Sequence, residues 1–305
     1  MTGDQTELVL SQSARLVRLK GDTADKFPLS SGHKRTDDAI HERNFLMNKE
    51  PAWDENGIYL QVMVKGYLNS YGTTQPAIEA ISILKTFFGI CLSLHIFKRR
   101  YVYSSFLPLN AFYAHRGVHN NGWVIDNKIS IDEGLGSIMS QIYFEDLPGS
   151  DENPIRKNQY FAINLAYISS VLDHREADGE RIATACQWLF ESYYGDNELL
   201  NFIQATVVLE ILLGDKSASD EIGLGELLRS RCAYLIGKTR QQRGEILQDF
   251  KEIYQVRSKI VHQGKRHLSS NERRLFFLLV WMGQRVIQEE AKLLSKDADK
   301  GKPAE

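Results

Sequence analysis

The sequence predicts a predominantly helical protein, an α+β N-terminal region followed by an all-α helical bundle. Three observations predict it. Runs rich in β-branched and aromatic residues, the mark of strands, fall within the first 150 residues. Beyond LPGSDENP, at 147–154, apolar residues recur at steps of three and four in one segment after another, which is the helical period. Those segments begin at capping residues or stop at glycines, among them Gly195, Gly214, Gly237 and Gly264, where a left-handed residue closes a helix at little cost.

Taken in order, residues 1–57 are polar and irregular, and KGDTADKFPLSSGHKRTDD reads as a loop or mobile arm. IYLQVMVKG, 58–66, is a predicted strand closing on Gly66. TTQPAIEAISILKTFFGICLSLHIFKRR is a single predicted helix, capped by Thr74, with Pro76 in its first turn and basic residues at its end. The runs 99–116 and 121–131 are strands around a turn at Val118–Gly122. After the 147–154 linker come helices over NQYFAINLAYISSVLD, GERIATACQWLFESYYG, DNELLNFIQATVVLEILLG (capped by Asp196), SDEIGLGELLRSRCAYLIG and TRQQRGEILQDFKEIYQVRSKIVHQG. The last helix opens on Ser269 and Glu272 at capping-box spacing. DADKGKPAE is disordered by composition. The expected organisation is an arm at 1–57, an α+β domain at 58–150, a helical bundle at 151–295 and a tail at 296–305.

With 305 residues, 43% hydrophobic and 25% charged, the chain has an ordinary globular composition. A net charge of −2 gives no global attraction to nucleic acid, so a polyanion site must be a local basic patch. The three cysteines, Cys91, Cys186 and Cys232, are far apart and form no CxxC pair. That argues for a reducing, cytoplasmic setting and against structural zinc. FFGICLSLHIF is short for a bilayer and reads as a buried helix, so no membrane is expected. His115 and His119 have metal-like spacing but lie in a Gly/Asn turn without a carboxylate or thiolate set, and no metal or other cofactor is expected. GLGSIMS and GLGELL lack the strand–turn–helix setting of a phosphate loop. Trp188, Phe190, Tyr193 and Tyr194 read as core packing.

Arg257 stands out. Ile246, Phe250, Ile253, Tyr254, Arg257, Ile260 and Val261 recur at steps of three and four, which puts Arg257 centrally on a predicted buried stripe. A guanidinium there keeps its proton and needs a partner or a cavity. Glu210 is the candidate partner, beside the apolar face Phe202, Thr206, Leu209 and Leu213. Two readings stand open: a buried structural pair, costly to break from one side, or a charge placed for function. His262 lies five residues beyond, about 140° around the helix. The two converge only if the last turn before Gly264 loosens or a second chain supplies the complement. Taken alone, His262 also fits a helix C-terminal histidine favoured by the dipole.

The order Tyr254-x-x-Arg257-Ser258-x-Ile260-Val261-His262-x-Gly264 resembles the signature of HEPN domains, the Apea-like HEPN group in particular. FIQATVVLEILLGD resembles that family's Glu-containing helix, and LLRSRCAYLIG its Arg-Ala-x-x-Leu-Gly helix. The resemblance spans about residues 185–290, and Ser258 stands where nuclease members often carry Asn, Asp or His. It implies an all-helical bundle that cleaves RNA without a metal, as a homodimer with two motif copies facing across a twofold axis. Arg257 would hold the phosphate, His262 would move the proton, and Ser258 would hydrogen-bond a phosphate oxygen. Glu210 and Tyr254 would support the site, and Lys259, Lys265 and Arg266 would add a local positive field. A toxin-like or phage-defence role is implied by the family, with a trigger or inhibitor acting at the N-terminal region. The alternative is a non-catalytic HEPN module that binds RNA or a protein partner.

Overall fold

The computed structural model describes residues 6–29, 53–54, 56–67, 75–99, 112–118, 122–126, 135, 138–139, 141–144, 154–173, 177–193 and 197–300. The 147–153 part of the expected linker, and the expected cap Asp196, lie outside them. Three small antiparallel sheets are present among the described residues. Strands β1 (Glu7–Val9), β2 (Ala14–Val17) and β3 (Tyr59–Val62) run in that order. β4 (Phe97–Arg99) pairs with β7 (Ile142–Phe144), and β5 (His115–Val118) pairs with β6 (Gly122–Ile125). The helices are α1 (Asp22–Asp25), α2 (Gln75–Ser93), α3 (Pro154–Leu172), α4 (Ala177–Glu191), α5 (Glu198–Leu213), α6 (Lys216–Ile222), α7 (Leu224–Ile236), α8 (Arg240–Gln263) and α9 (Ser270–Lys300). Helix predominates, as expected.

The N-terminal segment departs from expectation. Residues read as irregular form β1 and β2, with Leu8 opposite Leu16 and Leu16 opposite Leu60. Ser11 makes the turn, its Oγ accepting from the N–H groups of Ser13 and Ala14. Arg15 ties the strands together through Glu7 and Gln61, at 2.8 and 2.6 Å. Leu10, Ala14, Val17 and Leu19 are buried. These strands are too short to signal themselves by alternation, and a third strand more than forty residues away completes them. The β5–β6 hairpin forms around the expected turn, with Val118 opposite Gly122.

A single buried cluster runs across the boundary expected at 150. Phe87, Ile90, Cys91 and Leu92 of α2 share it with Ala185, Cys186 and Leu189 of α4 and Met282, Val286 and Ile287 of α9. Gly89 sets the α2–α4 spacing: a Cβ there would lie 2.0 Å from the Cys186 carbonyl oxygen. Lys85 Nζ meets Glu191 Oε1 at 2.6 Å along the same contact. α2 is therefore a bundle helix by packing. By length and composition it also suffices to cross a membrane, but half of its apolar window is buried in the protein.

α2 also stops earlier than expected, at Ser93. His95 takes a left-handed conformation, φ 56°. Its N–H reaches Leu92 O at 3.2 Å, and the Ile96 N–H reaches Cys91 O at 2.9 Å. This is the double hydrogen bond of a Schellman cap, and it frees 97–99 to form β4. Elsewhere Asn197 caps α5, accepting from Leu199 and Leu200. The expected helix over 219–237 is broken at Gly223, φ 83°, into α6 and α7. Thr239 and Gln242 form a capping box on α8, and Ser269 and Glu272 form the expected one on α9. Gly264 is left-handed at φ 63°, whereas Gly214 and Gly237 are not. Those two are needed for close approach, since a Cβ would meet the carbonyl oxygens of Glu210 and Ala233 at 2.3 and 2.6 Å. α9 continues through Lys300, over part of the stretch expected to be disordered.

Candidate active site

α5 and α8 bring Glu210 and Arg257 together. Arg257 Nε lies 3.3 Å from Glu210 Oε1, with the side chains 24% and 21% exposed. The distance is that of an ion pair, but the alignment is not that of a hydrogen bond. Glu210 Oε1 is shielded from solvent and receives no aligned donor. The tilt leaves the guanidinium N–H groups of Arg257 without a hydrogen bond to any described residue. Tyr254 flanks the pair, its ring centroid 5.8 Å from the guanidinium carbon. Burial raises the Tyr254 phenol pKa; the Glu210 carboxylate adds to this and Arg257 opposes it. Phe250 stacks on the same ring at 6.4 Å. Gly225 makes room for it, since a Cβ there would sit 2.9 Å from the ring.

Arg257 lies at the edge of the buried stripe rather than at its centre. The buried line of α8 is Ile246, Phe250, Ile253 and Val256. Arg257 follows Val256 by one residue, about 100° around the helix, and Val261, also assigned to the stripe, is 48% exposed. The line drifts because its steps of four, three and three average less than the 3.6 residues of a helical turn, and it reaches Val256 where the sequence reading chose Arg257. The end of α5 beneath the pair is anchored from two helices. Arg181 donates to Ile211 O and Leu212 O, and Arg231 donates to Leu213 O.

His262 is exposed in the last turn of α8 and has no partner among the described residues. α8 stays helical through Gln263, so the last turn does not loosen, and the offset between His262 and Arg257 persists within one chain. Ser258 is half-buried, and Lys259 and Arg266 are exposed. Lys265 is engaged: its Nζ lies 3.0 Å from Glu272 Oε2, the same carboxylate that caps α9. Its charge is largely neutralised, so Lys259 and Arg266 carry most of the local field.

Other candidates resolve into structure. His115 Nε2 is 2.8 Å from Pro28 O, and its ring meets Phe27 edge-on at 5.6 Å. His119 and Tyr194 lie outside the described residues. Among the described residues no group of three or more His, Cys, Asp or Glu side chains could hold a metal. The thiols are poor nucleophiles, because burial raises the pKa of Cys91 and Cys186 well above the usual range and that of Cys232 to about 12. Phe190 is fully buried, and Trp188 and Tyr193 pack on the core. The sequence reading missed a cleft between the end of α2, β4 and α9, lined in part by His95, Phe277 and Trp281. Its signals were present: a histidine interrupting an apolar run, and Phe277, Val280, Trp281 and Gln284 at steps of three, one and three.

Comparison of the chain with family models, with curated proteins and with solved structures gives no match.

Proposed function

We propose that this chain is a metal-independent endoribonuclease of the HEPN type, acting as a homodimer. The observation that carries the reading is the state of Arg257. It is permanently charged, held beside Glu210 and Tyr254 near the surface, and has N–H groups uncommitted to aligned hydrogen bonds among the described residues. Such a guanidinium can grip a phosphate through two N–H groups and stabilise the charge that develops on cleavage. His262 lies on the same helix, exposed, and an imidazole can serve as general base or general acid. One chain does not bring the two together, so the reading requires a second copy with the His262 faces apposed.

In that composite site one His262 removes the proton from the ribose 2′-OH, and the oxygen attacks the adjacent phosphorus. Arg257 stabilises the phosphorane, and the second His262 protonates the departing 5′ oxygen. The products are a 2′,3′-cyclic phosphate and a 5′-OH. DNA, lacking the 2′-OH, is inert. Ser258 hydrogen-bonds a phosphate oxygen, and Lys259 and Arg266 attract the strand. A toxin-like or phage-defence role, with the N-terminal strands and α2 relaying a trigger, belongs to the same proposal. One observation favours a second reading, a non-catalytic module binding RNA or a protein partner: Arg257 already has a carboxylate partner.

The test incubates wild-type and His262→Ala protein with total RNA in EDTA and maps the new ends. The expected outcome is cyclic-phosphate ends from the wild type only, with rates rising steeply with protein concentration and unchanged melting of the variant. Cleavage unaffected by the substitution, or none by a demonstrated dimer, removes the nuclease reading.

A further inference from the structure

We infer that the turn between α7 and α8 is a docking site for a single RNA strand, held there by its phosphates and by one stacked base. The inference rests on the nuclease reading only for the choice of RNA. Its residues lie at the opposite end of α8 from Arg257 and His262.

The sequence concentrates positive charge here. Between Leu227 and Gly244 there are five cations and no acid, in a chain with 39 acids against 37 bases. Arg229 and Arg231 are engaged within the fold, paired with Glu226 and Asp215. Lys238, Arg240 and Arg243 have no carboxylate partner among the described residues, and Lys238 and Arg240 are exposed. Stability does not account for this placement. Arg240 is the first residue of α8, whose first turn carries no acid, and the helix dipole opposes cations at that end. Arg240 and Arg243 are also three apart on the helix, where like charges repel. A cationic cluster that the fold does not use for itself is a site for an anion from outside.

The cluster is built around an aromatic ring. Tyr234, in the last turn of α7, is 70% exposed, and the Arg243 guanidinium carbon lies 5.2 Å from its ring centroid. The ring is thus backed by a cation on one side and open to a stacking partner on the other. Arg243 is itself fixed, its Nε donating to Gly237 O at 3.0 Å. Gly237 leaves room for it, since a Cβ there would sit 2.7 Å from Arg243 Cγ. The helix end is already closed by the Thr239–Gln242 capping box, so the site consists of side chains. An exposed tyrosine alone is ordinary surface, and cations alone attract any polyanion. An aromatic face flanked by cations holds single-stranded nucleic acid, with a base on the ring and phosphates on the charges. An acidic protein segment would satisfy the cations and leave the ring idle.

From this turn a ridge leads to the candidate active site. Arg240, Gln248, Lys251, Gln255, Lys259 and His262 are all exposed, and their spacing keeps them on one face of α8. The acids Glu245, Asp249 and Glu252 fall on the adjacent row, where Gln241 and Gln248 donate to Glu245 and Glu252. Arg240 and His262 are separated by about 33 Å along the helix axis. A strand touching both spans about ten nucleotides at the ~3.4 Å spacing of a stacked strand.

Full-length protein is titrated by fluorescence anisotropy with a labelled single-stranded 2′-O-methyl oligoadenylate of at least that span, which lacks a free 2′-OH and is not cut. Tyr234→Ala is expected to weaken binding roughly 5- to 150-fold, the loss for a base-stacking aromatic, and Tyr234→Phe to keep most of it. Lys238→Gln and Arg240→Gln are each expected to lower the slope of log affinity against log salt by about 0.7. All three positions are exposed, so circular dichroism of the variants stays native. No binding by the wild type overturns the inference. So does affinity unmoved by Tyr234→Ala, or a salt slope unmoved when Lys238→Gln and Arg240→Gln are combined. Polyglutamate binding as tightly as the strand also overturns it and assigns the turn to an acidic protein partner. Cleavage of ordinary RNA is scored separately. Variants that bind normally while the wild type cuts remove the docking site and leave the nuclease reading. Docking as described by a protein that never cuts supports the site and removes the nuclease.

Discussion

Replacing Gly89 by alanine tests whether α2 is part of the bundle, because the sign of the effect depends on it. In an unobstructed helix this change stabilises by about 1 kcal/mol, since glycine loses the most backbone entropy. Here the new methyl would lie 2.0 Å from the Cys186 carbonyl oxygen, 2.6 Å from its carbon and 2.9 Å from its Cα. Contacts shorter than 3.0 Å are essentially never seen for a Cβ, and the obstruction is backbone, which cannot rotate away. α2 and α4 would have to separate by about 1 Å or more, and a gap of that size forfeits up to half of each dispersion contact along the seam. Thr86 donates to Ala183 O across that seam, Phe88 lies against Phe190 there, and both are buried. Overpacking alone costs about 1–3 kcal/mol, so a net destabilisation of roughly 2 kcal/mol or more is expected. Gly244→Ala on α8 is the control, since nothing lies within 4 Å of its Cβ. It should stabilise by about 0.5–1 kcal/mol. Urea unfolding followed by circular dichroism reads both. A Gly89→Ala protein as stable as its parent refutes the α2–α4 contact and, with it, the assignment of α2 to the bundle core.

The remaining predictions concern charges. Arg257→Met leaves the shielded Glu210 oxygen with no counter-charge and should cost roughly 1–3 kcal/mol, less than the ~3–5 kcal/mol of a fully buried pair because both side chains are partly exposed. The double substitution Glu210→Leu with Arg257→Met should recover most of that loss, and a cycle of urea midpoints measures the coupling. For His95 the folded pKa lies below the unfolded one, so the unfolded chain takes up the proton first and stability falls as pH drops below about 6.5. His95→Gly should remove that part of the slope and raise stability at neutral pH by about 0.5–1 kcal/mol through relief of the positive φ. Midpoints at pH 7.5 and 5.5 check both, and an unchanged slope rejects the His95 assignment.

Much of the candidate site was readable before folding. Glu210 and Arg257 could be paired because each is a charge at a helical phase otherwise occupied by apolar residues. Gly264 and the Ser269–Glu272 box announced the end of α8 and the start of α9, because caps act within four residues. The same local logic failed in two places. Lys265 looked like a free cation until Glu272 came beside it, and 219–237 looked like one helix although Gly223 breaks it.

What the sequence determined by itself was the alternation of helix-forming and breaking stretches, the caps, the β5–β6 turn and the charges that needed an explanation. All of these arise from interactions within one or two turns of chain, so they are written in neighbouring residues. The tertiary structure alone decided that α2 crosses α4 at Gly89, that the first strands find β3, that Arg257 sits at the edge of its stripe, and that His95, Lys98 and Trp281 share a cleft. Each of these is set by which surfaces bury against one another across long separations, and close packing in three dimensions, unlike helical periodicity, leaves little trace in any single segment.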